Sequence, residues 1–218
     1  MSFRPMSAFF ILLFIKFESF KKHKCMKKYL LTFTALFAAA TAFAQGQSTI
    51  QSWDFNSGIP TGWTQSTNAT DGGFGAGSAS SLSSQFFTIT DPGSNIVATN
   101  DDDCNCDKAD EYLITDTLDL SNYSALHVTF KSFYYEGNNG GQEEAEFVYT
   151  TDGGSTWTFL ADITPGSDWT SQWVDISAAC GNSNVQLAFN YQDGGGFTWG
   201  LGIDDFSIFA PYNFDLAA

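Results

Sequence analysis

Basic residues are nearly absent from most of this sequence. The chain has 218 residues and nine Lys and Arg, seven of which lie before residue 45; only Lys108 and Lys131 follow, beside 23 acidic residues. Residues 45–218 therefore carry a formal charge of −21. A surface this short of cations cannot neutralise a row of phosphates, which excludes nucleic acids and anionic bilayers as partners. An aromatic content of 17% argues against intrinsic disorder.

Histidine is also scarce, because His127 is the only histidine after residue 44. A Ser-His-Asp or Cys-His unit would need it, yet it lies in an alternating strand pattern with no G-x-S-x-G motif nearby. Structural zinc, which takes about four ligands, is disfavoured for the same reason. The sequence thus predicts no catalytic constellation, although a carboxylate pair for glycoside hydrolysis stays open. The candidates for such a pair are Glu136, Glu143, Glu144 and Glu146.

Cysteines are few and odd in number after residue 44. Cys104, Cys106 and Cys180 remain there, while Cys25 lies upstream. In an oxidising compartment cysteines tend to pair, so at least one of the three is unpaired or pairs between molecules. Either Cys104 or Cys106 could join Cys180, or the two could close a small ring on each other. The sequence does not choose between these pairings.

The beginning of the chain is typical of an export signal. Residues 26–44 start with Lys27 and Lys28, continue with an apolar run and end in Ala-Phe-Ala, which predicts cleavage before Gln45. The alternative, an uncleaved membrane anchor, is disfavoured because the apolar run is shorter than the ~20 residues that span a bilayer. No transmembrane segment is expected in the mature chain. Residues 1–25 are interpreted as an over-extended start or a leader. The remaining 174 residues suffice for one domain.

Helical periodicity is missing from the mature chain, and an alternation of period two takes its place. Apolar and polar residues alternate in runs separated by Gly, Asn, Asp and Ser about every ten positions, as in a sandwich or barrel. The fold class predicted is all-β, a jelly-roll β-sandwich of two antiparallel sheets. The ten predicted strands are residues 50–55, 86–90, 95–99, 112–118, 126–131, 144–149, 158–163, 172–176, 185–192 and 201–209.

Five short motifs occur in one order between residues 53 and 208. They are WDFNSGIPTGW (53–63), DEYLIT with LDLS (110–121), DGGSTW (152–157), WVDIS (173–177) and GIDDF (202–206). In this order they resemble the motifs of choice-of-anchor J domains, which are related to the cleaved adhesin domains of bacterial surface proteases and, more distantly, to the MAM domain. Asp116 stands where that family usually has proline. The resemblance covers nearly the whole mature domain.

This resemblance implies a jelly-roll sandwich on exported or surface proteins of Gram-negative bacteria. It also implies calcium as a structural ion, and adhesion to a glycan or cell-surface protein as the role. On this basis residues 45–210 are assigned to the domain. Residues 211–218 are a tail or the start of a truncated following domain. The oligomeric state is not predicted.

Oxygen ligands are concentrated in residues 100–107, where three adjacent aspartates would repel without a cation or water between them. Carboxylates and amides suit a hard ion such as Ca²⁺. An EF-hand is rejected because Cys106 stands where that loop needs glycine and Tyr112 where it needs glutamate. A calcium loop of another design remains open, with Asp101 and Asp103 as ligands.

A second calcium position follows from the resemblance alone. The family's ion lies between an acidic or amide position after the first strand, here Asn56, and an aspartate pair near the last strand, here Asp204 and Asp205. Strand alternation turns only one of the pair inward, and we expect this to be Asp204, on the side of Phe206 and Ile208.

Loop aromatics are the candidates for a ligand surface, because exposed rings stack on sugars and anchor protein interfaces. Trp53, Trp157 and Trp173 are assigned to core or turn packing, with Trp157 closing a structural hairpin turn of the Asp-box type at 152–157. The predicted ligand-binding residues are Tyr134, Tyr135, Phe197 and Trp199.

The sequence thus predicts a secreted, acidic, calcium-stabilised module that binds a glycan or protein at a cell surface. Two other classes stay open. One is a glycosidase-like or peptidase-associated enzyme domain, and the other is a structural spacer that binds nothing.

Overall fold

The computed structural model describes residues 47–104, 106–135 and 143–211. All of them belong to one compact unit, Gln45–Ala218. The predicted leader and signal peptide, and residues 212–218 of the predicted tail, lie outside the described residues. Within the described residues, no helix has the length and apolar character needed to cross a membrane.

Eleven strands run through the described residues and form two antiparallel sheets, which confirms the predicted β-sandwich. The strands are β1 (Gln47–Trp53), β2 (Thr64–Ser66), β3 (Gly75–Ser78), β4 (Asn95–Asn100), β5 (Glu111–Ile114), β6 (His127–Tyr134), β7 (Glu144–Thr150), β8 (Thr158–Asp162), β9 (Thr170–Asp175), β10 (Gln186–Gln192) and β11 (Gly200–Pro211). One sheet has the order β3-β4-β11-β6-β9, with β1 also paired to β11, and the other has the order β2-β5-β10-β7-β8.

Helix is scarce, as predicted. The described helices are α1 (Ala79–Leu82), α2 (Asp101–Cys104) and one 3-10 turn (Ser177–Ala179). Each is too short to be stable alone, so packing on the sheets must maintain it.

The long strand β11 organises the six-stranded sheet. One edge of β11 pairs with β6, while the opposite edge pairs first with β4, through residues 200–203, and then with β1, through residues 206–211. Between these two partners a bulge interrupts the ladder, and Asp205 takes a positive φ of 52° there. The end of β1 and the start of β4 therefore meet beside the bulge.

The main core lies between the two sheets and is rich in phenylalanine. Phe130, Phe147, Phe189 and Phe206 are fully buried and lie within 6.3 Å of one another in several pairs, measured between ring centroids. Edge-to-face and tilted contacts of this kind contribute about 0.5–1.5 kcal/mol per pair beyond the buried area. The alternation of β6, β7, β10 and β11 supplies one of these rings from each strand.

A second apolar cluster covers the outer face of the six-stranded sheet. It contains Phe87 and Ile89 packed against Ile96, Ala98 and Phe133. The predicted strand at 86–90 is wrong, because this segment is a loop without ladder hydrogen bonds. Its alternation reflects burial of Phe87 and Ile89 under the loop, which a periodicity argument cannot distinguish from a strand.

Two short strands are not predicted from the sequence. β2 has the sequence TQS and β3 the sequence GAGS, so neither carries the β-branched or aromatic residues that mark strands. Glycine has a packing role in β3. A Cβ on Gly77 would lie 2.7 Å from the Ser81 hydroxyl oxygen, so glycine lets α1 pack closely on this strand.

Candidate ligand-binding and calcium sites

A buried charged cluster underlies the loops at one end of the sandwich. Lys108 is fully buried, and its Nζ lies 2.7 Å from an Asp71 carboxylate oxygen and 3.5 Å from Glu111. The hydroxyls of Thr67 and Thr99 donate to the two oxygens of Glu111. A buried ammonium is tolerated only when it is paired and hydrogen-bonded, as it is here. The cluster joins the segment that follows α2 to β5.

Aspartate side chains connect two segments next to this cluster, namely residues 101–108 and the loop between β10 and β11. Asp101 accepts hydrogen bonds from the backbone N–H and the hydroxyl of Thr198, at 2.8 and 3.1 Å. Asp193 accepts from the backbone N–H of Lys108 at 3.0 Å and from Gly195 at 2.8 Å. Burial raises the pKa of Asp101, because the charged form loses water. These contacts connect α2 to the glycine loop between β10 and β11.

Glu143 accepts hydrogen bonds at the C-terminal end of the glycine loop. One of its carboxylate oxygens accepts from the Tyr191 hydroxyl and from the backbone N–H groups of Trp199 and Gly200. The pKa of Tyr191 is raised well above its usual value by burial and by the charge of Glu143. The loop that carries residues 194–199 is therefore hydrogen-bonded at both ends, which fixes the position of its backbone there.

Phe197 stands on this loop with 72% of its surface exposed. It borders a pocket of about 470 Å³ whose other walls include the acids Asp101, Asp107 and Asp193. An exposed ring beside carboxylate acceptors suits ligands that combine an apolar face with hydroxyl or amino donors. We refer to Phe197 and these three acids as the loop-end site.

The four aromatic residues predicted to bind ligand have different environments. Phe197 is exposed, and Trp199 is half-buried with its ring 6.2 Å from that of exposed Phe86. Tyr135 is half-buried, and its hydroxyl donates to the Ser167 carbonyl. Tyr134 is buried in the main core and donates to the Glu143 carbonyl at 3.0 Å, so its prediction as a surface residue is wrong. The alternation of β6 turns its ring between the sheets.

The acidic run at 101–103 does not gather around one point. Asp101 and Asp103 are two residues apart on α2, a spacing that directs side chains to opposite sides of a helix. Asp101 is buried, with one oxygen bound by Thr198, whereas Asp103 is exposed. Asp102 accepts from the backbone N–H of Phe86 at 3.0 Å. The structure therefore does not bring the two predicted ligands Asp101 and Asp103 together.

The structure selects one of the cysteine pairings left open by the sequence. Cys104 and Cys106 form a disulfide, and Cys180 is free. Within the described residues, Asp71, Cys104 and Cys106 form one group whose potential metal-ligating atoms lie within 4.8 Å. Because both sulfurs are in the disulfide, neither is the thiolate that binds a metal. This group is not a metal centre in the oxidised protein.

Asn56 and Asp204 converge on one segment at the junction of β1, β4 and the β11 bulge. The Asn56 side-chain oxygen accepts the backbone N–H of Asn95 at 3.0 Å, and the Asn95 amide donates back to the Asn56 carbonyl at 3.1 Å. The hydroxyl of Ser94 donates to Asp204 at 2.7 Å. Amide, hydroxyl and carboxylate groups from three chain segments are thus linked through the adjacent residues Ser94 and Asn95. Their oxygen atoms are of the kind that Ca²⁺ takes.

Asp204 is fully buried, but on the face opposite to the one expected. Leu201 and Ile203 belong to the main core before the bulge, and Phe206 and Ile208 after it. The extra residue at the bulge reverses the alternation, so Asp204 does not share the side of Phe206. Burial raises its pKa, although hydrogen bonds from the Ser94 hydroxyl and from the backbone N–H of Asp205 oppose this shift.

Asp205, the other predicted member of the pair, is engaged elsewhere. Its carboxylate lies 2.7 Å from the ammonium of Lys131 on β6, and both side chains are about half exposed. The ion pair raises the pKa of Lys131, chiefly through the hydrogen bond from the ammonium to Asp205. Of the two aspartates, Asp204 is the one that accepts from Ser94.

Comparison with known proteins identifies similar solved structures. The K1 cleaved adhesin domain of Lys-gingipain from Porphyromonas gingivalis W83 superposes with a TM-score of 0.54 at 20% identity, over 77% of this chain and 99% of that domain. The K2 domain of Lys-gingipain gives 0.53 at 20% identity, over 76% and 99%. The K3 domain from the same organism gives 0.52 at 16% identity, over 75% and 100%. No protein-family model and no curated protein matches the chain.

These likenesses establish the fold. At 20% identity and below they support the sandwich and its topology, and they agree with the cleaved adhesin architecture that the motifs implied. They do not transfer a ligand or an ion to this chain.

Three of the carboxylates considered for hydrolysis are described by the structure, and Glu143 lies apart from Glu144 and Glu146. Glu143 is buried and holds backbone N–H groups, as described above. Glu144 and Glu146 lie on β7, where burial and the neighbouring charges of Glu144 and Asp162 raise the pKa of Glu146. Neither borders the loop-end pocket. Glu136 lies outside the described residues.

Sequence reasoning does not recover two features of these sites. The hydrogen bond from the backbone N–H of Lys108 to Asp193 joins residues 85 positions apart, so no local motif predicts it. The assignment of Trp173 to packing is wrong, since 61% of its surface is exposed. A signal for Trp173 is present, because the alternation of β9 places it in phase with the polar residues Ser171 and Asp175.

Proposed function

We propose that the mature chain is a non-catalytic binding module whose ligand is taken at the loop-end site. The observation that carries this proposal is the exposed ring of Phe197 on a loop held at both ends by Asp101, Asp193 and Glu143. An apolar ring exposed on a hydrogen-bonded loop is costly to solvate and loses little freedom on binding. Such a residue is typical of a binding surface.

The ligand class proposed is a glycan or a cell-surface protein with hydrogen-bond donors. Hydroxyl and amino groups match the carboxylates of Asp101, Asp107 and Asp193 that line the pocket. Anionic ligands are disfavoured, since residues 45–218 carry a formal charge of −21 and would repel them.

Calcium is proposed as a structural ion at the junction of β1, β4 and β11. The side-chain oxygens of Asn56, Ser94 and Asp204 would hold it, and the ion would place positive charge beside the buried carboxylate of Asp204. The residues fit the ion because all the donors are oxygen. The resemblance to choice-of-anchor J domains supports the same position, and the separation of Asp101 from Asp103 disfavours the alternative loop.

The proposed location is the cell surface or the exterior of a Gram-negative bacterium. Its support is the signal-peptide pattern at residues 26–44 and the likeness to domains of a Porphyromonas gingivalis adhesin region. A disulfide between Cys104 and Cys106 accords with an oxidising compartment.

A three-way screen tests the proposal against its rivals. The purified protein is applied to arrays of glycans and of surface proteins, and in parallel to a panel of polysaccharides assayed for released reducing ends. The proposal expects binding on an array, loss of at least one of the bound ligands in Phe197→Ala, and no released sugar. Release of sugar would favour the enzyme class. Absence of binding on every array would favour the spacer.

A further inference from the structure

The outer face of the six-stranded sheet carries a second exposed aromatic surface, remote in sequence from the loop-end site. Trp173 lies on the edge strand β9, and its indole is 61% exposed. The residues two positions away on either side, Ser171 and Asp175, are exposed on the same face. Burying an indole of this size stabilises a complex more than burying any other side chain of the strand.

Trp173 is not a loose surface side chain, because it is the outermost ring of a stack. Its ring lies 5.2 Å from that of His127 at an interplanar angle of 26°, and His127 lies 5.4 Å from Phe209 at 15°. The three rings come from the adjacent strands β9, β6 and β11. Stacking of this kind orients the indole before a ligand arrives, which lowers the entropic cost of binding.

Two hollows share Trp173 as a common wall. One has a volume of about 340 Å³ and the other of about 230 Å³. Side chains able to donate and accept hydrogen bonds line both of them. The larger contains Thr129, Lys131 and Asp205, and the smaller contains His127, Asp175 and Ser177. We call Trp173 and these six residues the sheet-face site.

His127 gives independent evidence for a ligand in the smaller hollow. It is 6% exposed, and its Nε2 is buried with no hydrogen-bond partner among the described residues. Buried polar atoms in native proteins nearly always have a partner, so a water molecule or a hydroxyl group of a ligand is expected at this one. Burial lowers the pKa of His127, which keeps the ring neutral and able to accept or donate one hydrogen bond at Nε2.

The chemistry of the lining selects a hydroxyl-rich ligand without charge. Lys131, the exposed cation of the described residues, is paired with Asp205 at 2.7 Å, so the larger hollow has no free positive charge for an anion. Protein interface centres are depleted in charged side chains, whereas this surface places charged groups in both hollows. Hydroxyl groups both donate and accept, and so satisfy Lys131, Asp205, Asp175 and His127 alike.

We propose that the sheet-face site binds a neutral oligosaccharide, with one sugar ring stacked on Trp173 and hydroxyl groups hydrogen-bonded in the two hollows. This site is independent of the loop-end site, and either can fail without the other. The hydroxyl that enters the smaller hollow pairs with Nε2 of His127.

Isothermal titration with a defined set of sugars tests this proposal. The probes are cellohexaose, xylohexaose, mannohexaose and maltohexaose, with a hyaluronan hexasaccharide as the anionic comparison. The wild-type protein is expected to bind at least one neutral hexasaccharide, and Trp173→Ala to weaken that binding about tenfold or more, as for a buried aromatic anchor. Trp173→Tyr, which keeps a stacking ring, is expected to recover part of the affinity.

Matched variants distinguish the sheet-face site from the other exposed rings of the domain. Phe159 on the other sheet is also exposed, at 54%, so Phe159→Ala removes an exposed ring elsewhere and should leave affinity unchanged. Phe197→Ala should likewise have no effect on this ligand. His127→Phe keeps the stack and removes Nε2, and should weaken binding.

Four results would overturn the sheet-face site. Three of them are no binding of any neutral hexasaccharide, equally tight binding of hyaluronan, and wild-type affinity in Trp173→Ala. The fourth is a wild-type dimer that is lost in Trp173→Ala when both proteins are followed by light scattering, since this result would assign the surface to a second copy of the chain.

Discussion

Asn95 donates its backbone N–H to the side-chain oxygen of Asn56 at 3.0 Å, and this contact joins the turn after β1 to the start of β4. Phe55 makes the turn with a positive φ of 53°, an uncommon conformation for a bulky residue. The contact brings Asn56 to the segment whose Ser94 binds Asp204. Three segments distant in sequence are thus linked through Ser94 and Asn95.

Calcium is expected to raise the melting temperature of the wild-type protein, and EDTA to lower it. At 100 times Kd a single ion stabilises by about 2.7 kcal/mol, or roughly 5–10 °C for a domain of this size. Asp204→Asn should abolish the response because it removes the carboxylate at the junction. Asp205→Asn is the matched control, since Asp205 pairs with Lys131, and it should keep the response. Equal calcium shifts in the two variants would place the ion elsewhere.

Loss of the buried lysine should be far more damaging than loss of the exposed one. Lys108→Met leaves Glu111 buried without its cation and is expected to lower the free energy of unfolding by about 3–5 kcal/mol. Lys131→Met breaks an exposed pair and should cost about 0–1 kcal/mol. Urea unfolding at pH 7 measures both values. Similar values for the two variants would contradict the role assigned to the buried cluster.

The turn at residues 152–157 predicts a pH dependence of stability. Asp152 accepts from Thr150 and Thr156, and these bonds lower its pKa to about 2. A lowered folded-state pKa contributes stability above the unfolded value near 3.8, and this stability is lost as the pH falls toward 2. Wild type should therefore lose stability more steeply than Asp152→Ala between pH 4 and pH 2. Parallel melting curves for the two proteins across this range would refute the prediction.

Thiol counting tests the disulfide assignment. The mature chain, unfolded without reductant, should show one reactive thiol, that of Cys180, and three after reduction. Cys180→Ser should show none before reduction. In the folded protein, burial raises the pKa of the Cys180 thiol, so it should react slowly at neutral pH. A zero count for unreduced wild type would indicate pairing between molecules.

Much of the fold follows from alternation in the sequence. Strands such as β6, β7 and β10 have a polar and an apolar face. The alternation of apolar and polar residues therefore predicts their positions and favours antiparallel sheets. Strands β2 and β3 are not readable, because three or four polar or glycine residues carry no pattern. The loop at 86–90 has a strand's alternation but buries Phe87 and Ile89 without a partner strand.

The sites depend on information that a local pattern does not contain. The resemblance identifies Asp204 as a candidate calcium ligand. The sequence does not show on which face of the sheet its side chain lies, because the bulge at Asp205 reverses the alternation within one strand. The surface prediction for Tyr134 rests on the loop composition predicted after it, whereas its parity in β6 matches that of the core residues Val128 and Phe130. Trp173 is predicted to be buried by packing but is exposed, and its polar neighbours in β9 indicate this exposure.

The central measurement is the affinity of Phe197→Ala for an array ligand whose binding Trp173→Ala leaves unchanged, since such a ligand does not use the sheet-face site. The variant is expected to weaken binding about tenfold or more, because Phe197 is the exposed anchor of the loop-end site, while Phe159→Ala keeps the wild-type Kd. Thermal melts should show both variants folded, since neither ring belongs to a core cluster. Wild-type affinity in a folded Phe197→Ala protein would contradict the account.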